Sequence, residues 1–564
     1  MRLFEIGKVK LPILYIAIAL LISSLYYRYF DRDLWLAIIL VSLLFLWVFL
    51  KEGKEFLVFI SFVFIIGILI NNNFYNFNIS EYQTIRVERN YSYGGVGKVN
   101  GRKVILKGSL KGCREGDLIL ARGSFKRDVD KEKGVIGEFK IKEFKIDNKS
   151  IFTKLAKLKE KFKEILTDNI GIRKASLVTS IVFGRDSTLD KEDEEYMNRF
   201  GVIHALSVSG LHIGIIFIIF KKLINEKVSL VMTFIYVIMT GIAFSSLRAF
   251  IMLLFSNLGF ILKKKYNPIG GIAISAIIIF IMAPYCIFNI GFLLSFSATI
   301  GILLYSKKIR RKLYKIPEFL GDTISISLAA QIFTLPLLII FFNEFSIGFI
   351  VGNIILIPII NLILIIGVIC IATIGVQEIF DFLSFILNII INILDDIIDI
   401  FINFVPETLN ITVEYAYFYI SLLITYYLYK RGVKKIIVLP IAYIVVISIN
   451  FYSLNPKITY RKEGGLVISY KGDRIVVSDK KANMDDLKSK TASSKGYKDF
   501  KKINISDSYY LEKEGKDYIL SVSGSNYYLN VSGGNKKEVK YDIINFKDNE
   551  ASEIIILGDD ILVK

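Results

Sequence analysis

The two histidines of this 564-residue chain, His204 and His212, fall in one hydrophobic segment from Gly201 to Gly214 that also holds Ser207, Ser209 and Gly210. Polar and ionisable groups cost free energy in an apolar setting, so such a cluster marks a functional candidate. On one helical face His204 pairs with Ser207 and Ser209 with His212, each at a spacing of three. That spacing admits a nucleophilic Ser–His pair, but no acidic residue lies between positions 196 and 225 to orient an imidazole. In an unbroken helix the histidines stand about 12 Å apart along the axis, too far to share a metal, unless Gly210 breaks the helix. Two bland readings compete: Ser and His as hydrogen-bonding glue between helices with glycines for close packing, or the lining of a pore. Arg248 is the second intramembrane candidate. Three residues inside a hydrophobic span, it either snorkels to the surface or offers a fork of donors to a phosphate or carboxylate. No phosphate loop is present, because Gly94 to Val99 has the wrong spacing and falls in a β-like stretch. With two histidines in all, a multi-histidine zinc site in a soluble domain is excluded, so neither a metal nor a cofactor is expected.

The elements that must carry these residues follow from composition. With 53% apolar residues and a mean hydropathy of +0.52, the chain is too oily for a soluble protein of its size. The charges, 71 basic against 52 acidic, therefore concentrate outside the spans, and the net +19 suits a polyanion or an anionic lipid surface. Three cysteines, two of them in hydrophobic runs, exclude a disulfide scaffold. Charge-free runs predict membrane helices over 11–27, 34–50, 56–70, 202–220, 228–247, about 245–262, two within 266–306, then 323–343, 345–377, 415–429 and 436–451. A turn at Ala283-Pro284-Tyr285 divides 266–306. The first run lacks a cleavage motif and reads as a retained anchor. Placing the basic loops on the cytoplasmic side puts the N-terminus inside and residues 71–200 outside. An odd crossing is then needed between 316 and 430. Either 379–404 crosses with Asp395, Asp396 and Asp399, or 345–377 is re-entrant around Pro358, or the Asp-bearing helix lies flat.

Residues 71–150 carry 17 basic and 10 acidic residues in short strands with an Asn100-Gly101 hairpin, which predicts a small barrel or sandwich. Its aromatics, Tyr91, Tyr93, Phe125, Phe139 and Phe144, suit either base stacking on single-stranded nucleic acid or the domain's own core. Residues 151–200 alternate apolar and charged positions as an amphipathic helix does, lying on the outer membrane surface or packed on the spans. Residues 452–564 read as strands again, with Lys480 to Lys502 a loop. The expected class is a polytopic α-helical membrane protein with two β-rich extracytoplasmic parts. The expected divisions are three helices in 1–70, the β domain 71–150, the amphipathic 151–200, a transmembrane domain 201–451 and the β-rich 452–564.

The stretch His204, Ser209, Gly210, Leu211, His212, Gly214 resembles the signature of the ComEC family, bacterial competence channels that admit single-stranded DNA. Further similar motifs follow in order: Leu247-Arg248-Ala249, then Gly291-Phe292-Leu293-Leu294-Ser295-Phe296, then Thr334-Leu335-Pro336, then Asn353 with Pro358. The resemblance implies an OB-type fold for 71–150 and a strand path lined by His204, Ser207, Ser209, Gly210, His212 and Arg248. Gly214, Gly291, Phe292, Ser295, Pro336, Asn353 and Pro358 are then structural. It also implies single-stranded DNA, a DNA receptor outside and a cytoplasmic ATPase or helicase as partners; the spans make the lipid bilayer another, and further copies of the chain are a last candidate. Many family members end in a metallo-β-lactamase-like nuclease domain with a His-rich metal motif. Residues 452–564 contain no histidine, so a degenerate domain without nuclease activity, and no enzyme, is expected. A membrane-embedded hydrolase using the Ser/His cluster and a solute transporter with a midplane site are the alternative functions.

Overall fold

The computed structural model describes residues 11–564 except 92, 185–187, 462–464, 479–483, 492, 499, 534–539 and 547–551. The chain divides into two compact units, one of residues 1–334 with 346–407, the other of 335–345 with 408–564.

The first unit begins with three helices, α1 (Pro12–Tyr29), α2 (Leu34–Glu52) and α3 (Lys54–Tyr75). Asp33 caps α2 by accepting from the Leu36 N–H, and Gly53 at φ +86° makes the reversal into α3. A closed barrel follows: β1 (Tyr82–Tyr91), β2 (Gly94–Val99), β3 (Arg102–Lys107), β4 (Leu118–Asp130) and β5 (Val135–Ile146), in the order β1-β2-β3-β5-β4. The strand pair β3/β5 is parallel and the others are antiparallel, with β1 closing onto β4. Asn100 and Gly101 both take positive φ, as a two-residue hairpin turn requires, so the predicted turn is where the sequence placed it.

The barrel core of Ile85, Val87, Val104, Leu106, Ile119 and Phe139 runs on into Phe74 and Tyr75 of α3 and into Tyr285. Tyr75 Oη donates to the Lys131 carbonyl, Arg102 Nε to the Phe74 carbonyl, and Arg28 pairs with Glu132. Gly134, at φ +70°, lies so close to the Tyr285 ring that a Cβ there would stand 2.2 Å from it.

The predicted single amphipathic helix over 151–200 is three helices: α4 (Ile151–Ile170), α5 (Ile172–Phe183) and α6 (Lys191–Arg199). Positive-φ glycines, Gly171 and Gly184, end α4 and α5. Of the three helices, α5 is packed inside, since Ala175 to Phe183 are all buried, as the reading of a segment packed on the spans expects. Next come α7 (Gly210–Leu223), α8 (Glu226–Met239), α9 (Phe244–Ile261), α10 (Pro268–Met282), α11 (Ile290–Lys312), α12 (Glu318–Phe342), α13 (Phe349–Thr373) and α14 (Gln377–Phe401).

The turn predicted at Ala283-Pro284-Tyr285 is a short 3-10 helix, Pro284–Phe288. Two spans are shorter than the sequence suggested. Helix α7 begins only at Gly210, and α8 stops at Met239, where Gly241 and Ile242 with positive φ turn the chain into α9. Helix α13 runs through Pro358 without a break, so 345–377 does not turn back on itself. Among the described residues seven helices, α1, α2, α3, α9, α11, α12 and α13, are long and apolar enough to cross a membrane. Helix α14 has a polar stripe answered from the α4–α5 junction. Asn169 donates to Asp381 and Ser384, Lys174 to Asn388 and Asn392, and Arg173 bridges Asp395 to Asp193 of α6. These ties hold two of its four aspartates, Asp381 and Asp395, in a folded contact.

The second unit holds the end of α12, α15 (Val413–Lys430), α16 (Val438–Tyr452) and a ribbon of β6 (Glu344–Phe345) with β7 (Leu409–Asn410). Beyond them two sheets pack face to face. One has the order β11-β10-β9-β8-β17-β18, from β8 (Lys457–Arg461), β9 (Gly465–Tyr470), β10 (Asp473–Ser478), β11 (Lys495–Tyr497), β17 (Glu553–Leu557) and β18 (Asp560–Val563). The other, in order β12 to β16, comprises β12 (Lys502–Asn504), β13 (Tyr509–Glu514), β14 (Asp517–Val522), β15 (Ser525–Asn530) and β16 (Asp542–Asn545). Their shared core includes Leu466, Ile468, Leu511, Leu520, Leu529 and Ile554. The stretch predicted as a loop, Lys480 to Lys502, carries α17 (Met484–Thr491) and β11 among its described residues. Met484 and Leu487 cover Val467 and Val476 there, so two apolar residues in a polar stretch were enough to seat a helix.

Candidate functional site

The segment that concentrates the histidines is a broken helix. Gly201, at φ +66°, passes so close to Phe349 that a Cβ would stand 2.7 Å from that residue's own Cβ. Ile203–Leu206 then forms one 3-10 turn, Ser207 and Ser209 are extended, and α7 begins at Gly210. Ser245 Oγ donates to the Val208 carbonyl and ties the extended piece to α9. From below, Gly352 of α13 sits against the Phe200 carbonyl and Val202, leaving no room for a side chain.

Of the two Ser–His pairs read from spacing, one forms. Ser209 Oγ and His212 Nδ1 are 2.8 Å apart, and His212 is buried with its Nε2 unpartnered. Ser207 Oγ instead donates to the His204 backbone carbonyl, because the 3-10 turn ends between them, and His204 is exposed. Among the described residues no carboxylate contacts His212 and no cluster of three metal-ligating side chains exists.

Arg248 does not snorkel. It is 8% exposed, with its guanidinium against Gly210 and 5.9 Å from the Phe296 ring, which stacks on Phe292. The structure thus gathers His204, Ser207, Ser209, Gly210, His212, Arg248 and Phe292 around the helix break. Ser295 lies on α11 beside them in sequence, its carbonyl accepting from Thr299 Oγ1. Gly291 follows the α11 cap residue Asn289 and is exposed. Asn353 follows Gly352 on α13, whereas Pro358 is an exposed position of the same helix and Pro336 belongs to the second unit. A Cβ at Gly214 would meet nothing within 4 Å, so packing gives no reason for glycine there.

The barrel contributes a second polar surface. The aromatics divide as their burial decides: Phe139 is fully buried, Phe125 and Phe144 pack on the core, and Tyr91 and Tyr93 are exposed at the β1–β2 tip. A pocket of about 260 Å³ lies between β1, α4 and the end of α8, with Arg86, Arg89 and Lys159 facing Glu88 and Glu115. Arg86 stacks 4.3 Å over Phe152, and burial pulls its guanidinium below the ordinary arginine value. Neither this pocket nor the Gly210–Arg248 approach was visible in the sequence, since both join residues far apart in the chain.

The features above define a class, a multi-pass helical membrane protein with a polar site at a discontinuous helix. Residues 181–431, somewhat under half of the chain, match the family described as Competence protein. It is 32% identical to the ComE operon protein 3 of Bacillus subtilis (strain 168) over 200 residues, 34% of this chain and 25% of that protein. An uncharacterized protein of Aquifex aeolicus (strain VF5) is 30% identical over 27% of this chain and 37% of its own. The uncharacterized protein MG316 homolog of Mycoplasma pneumoniae is 27% identical over 19% and 30% respectively. The chain thus spans between 25% and 37% of the length of these relatives. No solved structure matches it significantly.

Proposed function

We propose that this protein is an integral membrane channel that takes up single-stranded DNA across the cytoplasmic membrane during natural transformation. The observation that carries the reading is the coincidence of the competence domain, residues 181–431, with a membrane helix broken at Gly210 beside a buried arginine. Transporters use such breaks to aim half-helix ends at their cargo. His204, Ser207, Ser209, Gly210, His212 and Arg248 line the strand path. The barrel, of OB type, stands outside with the β-rich C-terminal domain, and the N-terminus is cytoplasmic. Exposed Tyr91 and Tyr93 and the basic surface around Arg86, Arg89 and Lys159 receive the strand by stacking and phosphate contact. The energy comes from a cytoplasmic ATPase or helicase, and a receptor outside delivers the DNA. The C-terminal sandwich, a degenerate metallo-β-lactamase-like domain, does not cleave the other strand.

The deciding experiment measures uptake of labelled DNA in competent cells of the source organism with the intact gene, a deletion, and His204→Ala with His212→Ala. Loss of internalisation in the deletion and the double variant, at normal protein level and surface-bound DNA, is expected. Normal uptake without the gene overturns the reading.

A second reading, a membrane-embedded hydrolase, draws on the 2.8 Å Ser209–His212 contact. It requires that Ser209→Ala abolish turnover of a substrate by the purified protein while DNA binding persists.

A further inference from the structure

Arg248 has no counter-ion among the described residues. It lies on the first turns of α9, nine-tenths buried, with no hydrogen-bond partner at Nε. Its Nη2 would stand 2.8 Å from a Cβ at Gly210, so the guanidinium presses against the first residue of α7. That residue opens a 14-residue helix whose N-cap, Ser209, makes no side-chain cap, because its hydroxyl is engaged with His212 Nδ1. The leading N–H groups of α7 therefore keep their donors, and the helix end carries a partial positive charge. Two positive features thus face each other in a poorly hydrated place, with no acid between positions 196 and 225 to separate them. Tyr266 likewise has a buried hydroxyl without a partner.

Left alone, such an arrangement costs free energy from repulsion and from unpaired donors. One anion with several acceptor oxygens removes both costs, and a planar guanidinium beside helix N–H groups matches a phosphate. We propose that the Arg248 guanidinium and the first turn of α7 form a seat for a single phosphate group, and that the occupant is a phosphodiester of the strand in transit. The occupant's identity rests on the DNA-uptake reading, whereas the seat itself rests on the unneutralised arginine. Access runs from the side of the exposed residues Ile203, His204, Ser207 and Leu211. The small Gly210 is what admits both the guanidinium and the phosphate.

The test uses the full chain purified in nanodiscs of uncharged lipid and a fluorescein-labelled oligodeoxythymidine, with anisotropy followed from about 50 to 200 mM salt. Loss of one phosphate contact lowers the log–log salt slope for a single strand by about 0.7. Arg248→Gln is expected to show that fall together with binding weakened at least about thirtyfold. Arg248→Lys keeps the slope and recovers part of the affinity, since it supplies charge without the fork. Gly210→Ala keeps the charge yet weakens binding by filling the seat, and it carries the test if Arg248→Gln fails to fold. Unchanged slope and affinity in folded Arg248→Gln overturn the seat, and DNA uptake that still depends on the gene then leaves the uptake reading intact. If the wild type binds no oligonucleotide but inorganic phosphate raises its melting temperature and not that of Arg248→Gln, the seat stands and the DNA reading falls. Protection by phosphatidylglycerol nanodiscs alone overturns the strand as occupant in favour of a lipid headgroup.

Discussion

Replacing Gly352 with alanine tests how the broken helix is held. A Cβ at this position would stand 2.2 Å from the Phe200 carbonyl oxygen and 2.7 Å from Val202 Cγ1. The nearer contact is with backbone, so no rotamer change relieves it. Helix α13 or the Phe200–Val202 segment must shift by about 1 Å or more to restore van der Waals distance. Overpacking of this kind costs about 1–3 kcal/mol, against a gain of about 1 kcal/mol from replacing glycine in a helix. The net expectation is a destabilised protein whose His204 turn is displaced. Gly214→Ala is the matched control: it is helical too, and its Cβ would meet nothing within 4 Å, so only the favourable helix term of up to about 1 kcal/mol remains. Melting curves of the two purified variants in the same detergent should therefore move in opposite directions. DNA uptake should fall with Gly352→Ala and hold with Gly214→Ala. A Gly352→Ala protein as stable as the wild type refutes the close approach of α13 to the segment.

Three further outcomes follow from geometry. Tyr93→Ala, at a residue 92% exposed, should leave melting unchanged but weaken oligonucleotide binding, by about 1–3 kcal/mol if one base stacks on the ring. Equal binding excludes this tip from the DNA contact. Arg173→Met strands Asp193, which is 3% exposed and bonded through both oxygens to Arg173, and should cost about 3 kcal/mol, with Asp193→Asn restoring part of it in the double variant. Absence of coupling in that cycle refutes the pairing. Asp517 accepts from Tyr528 Oη, Ser532 Oγ and the N–H groups of Val531 and Ser532. Asp517→Ala should destabilise the C-terminal sandwich by about 1–3 kcal/mol or more, read by urea-dependent proteolysis at sites beyond Tyr452.

Helix positions were legible because a charge-free run long enough to span hydrocarbon has few other uses, and α1, α2, α3, α11 and α13 lie where such runs predict them. The hairpin at Asn100-Gly101 was legible because its turn demands positive φ twice. Breaks at Gly171, Gly184 and Gly210 were harder to read, since a glycine inside a periodic pattern is compatible with a continuous helix. Hydropathy carried the reading straight through 202–220 and hid the start of α7. Burial of Arg248 was not legible at all: its place near a span end fits a snorkelling side chain, and the residue that covers it, Gly210, is distant in sequence. Arg173 and Asp395 are 222 positions apart, so their pairing, which answers the acidic stripe of α14, belongs to tertiary structure alone.

The floor of the β-barrel is closed by Ala283 and Tyr285, made long after the last barrel strand. During synthesis the ribosome must therefore add well over a hundred residues, α4 to α10 among them, before Gly134 meets the ring that covers it. Until then the nascent barrel has an open apolar base, and its completion waits on membrane integration of the helices that deliver Tyr285. A barrel fragment expressed alone would keep that base uncovered, and solubilising changes belong on its Tyr285-facing surface around Gly134.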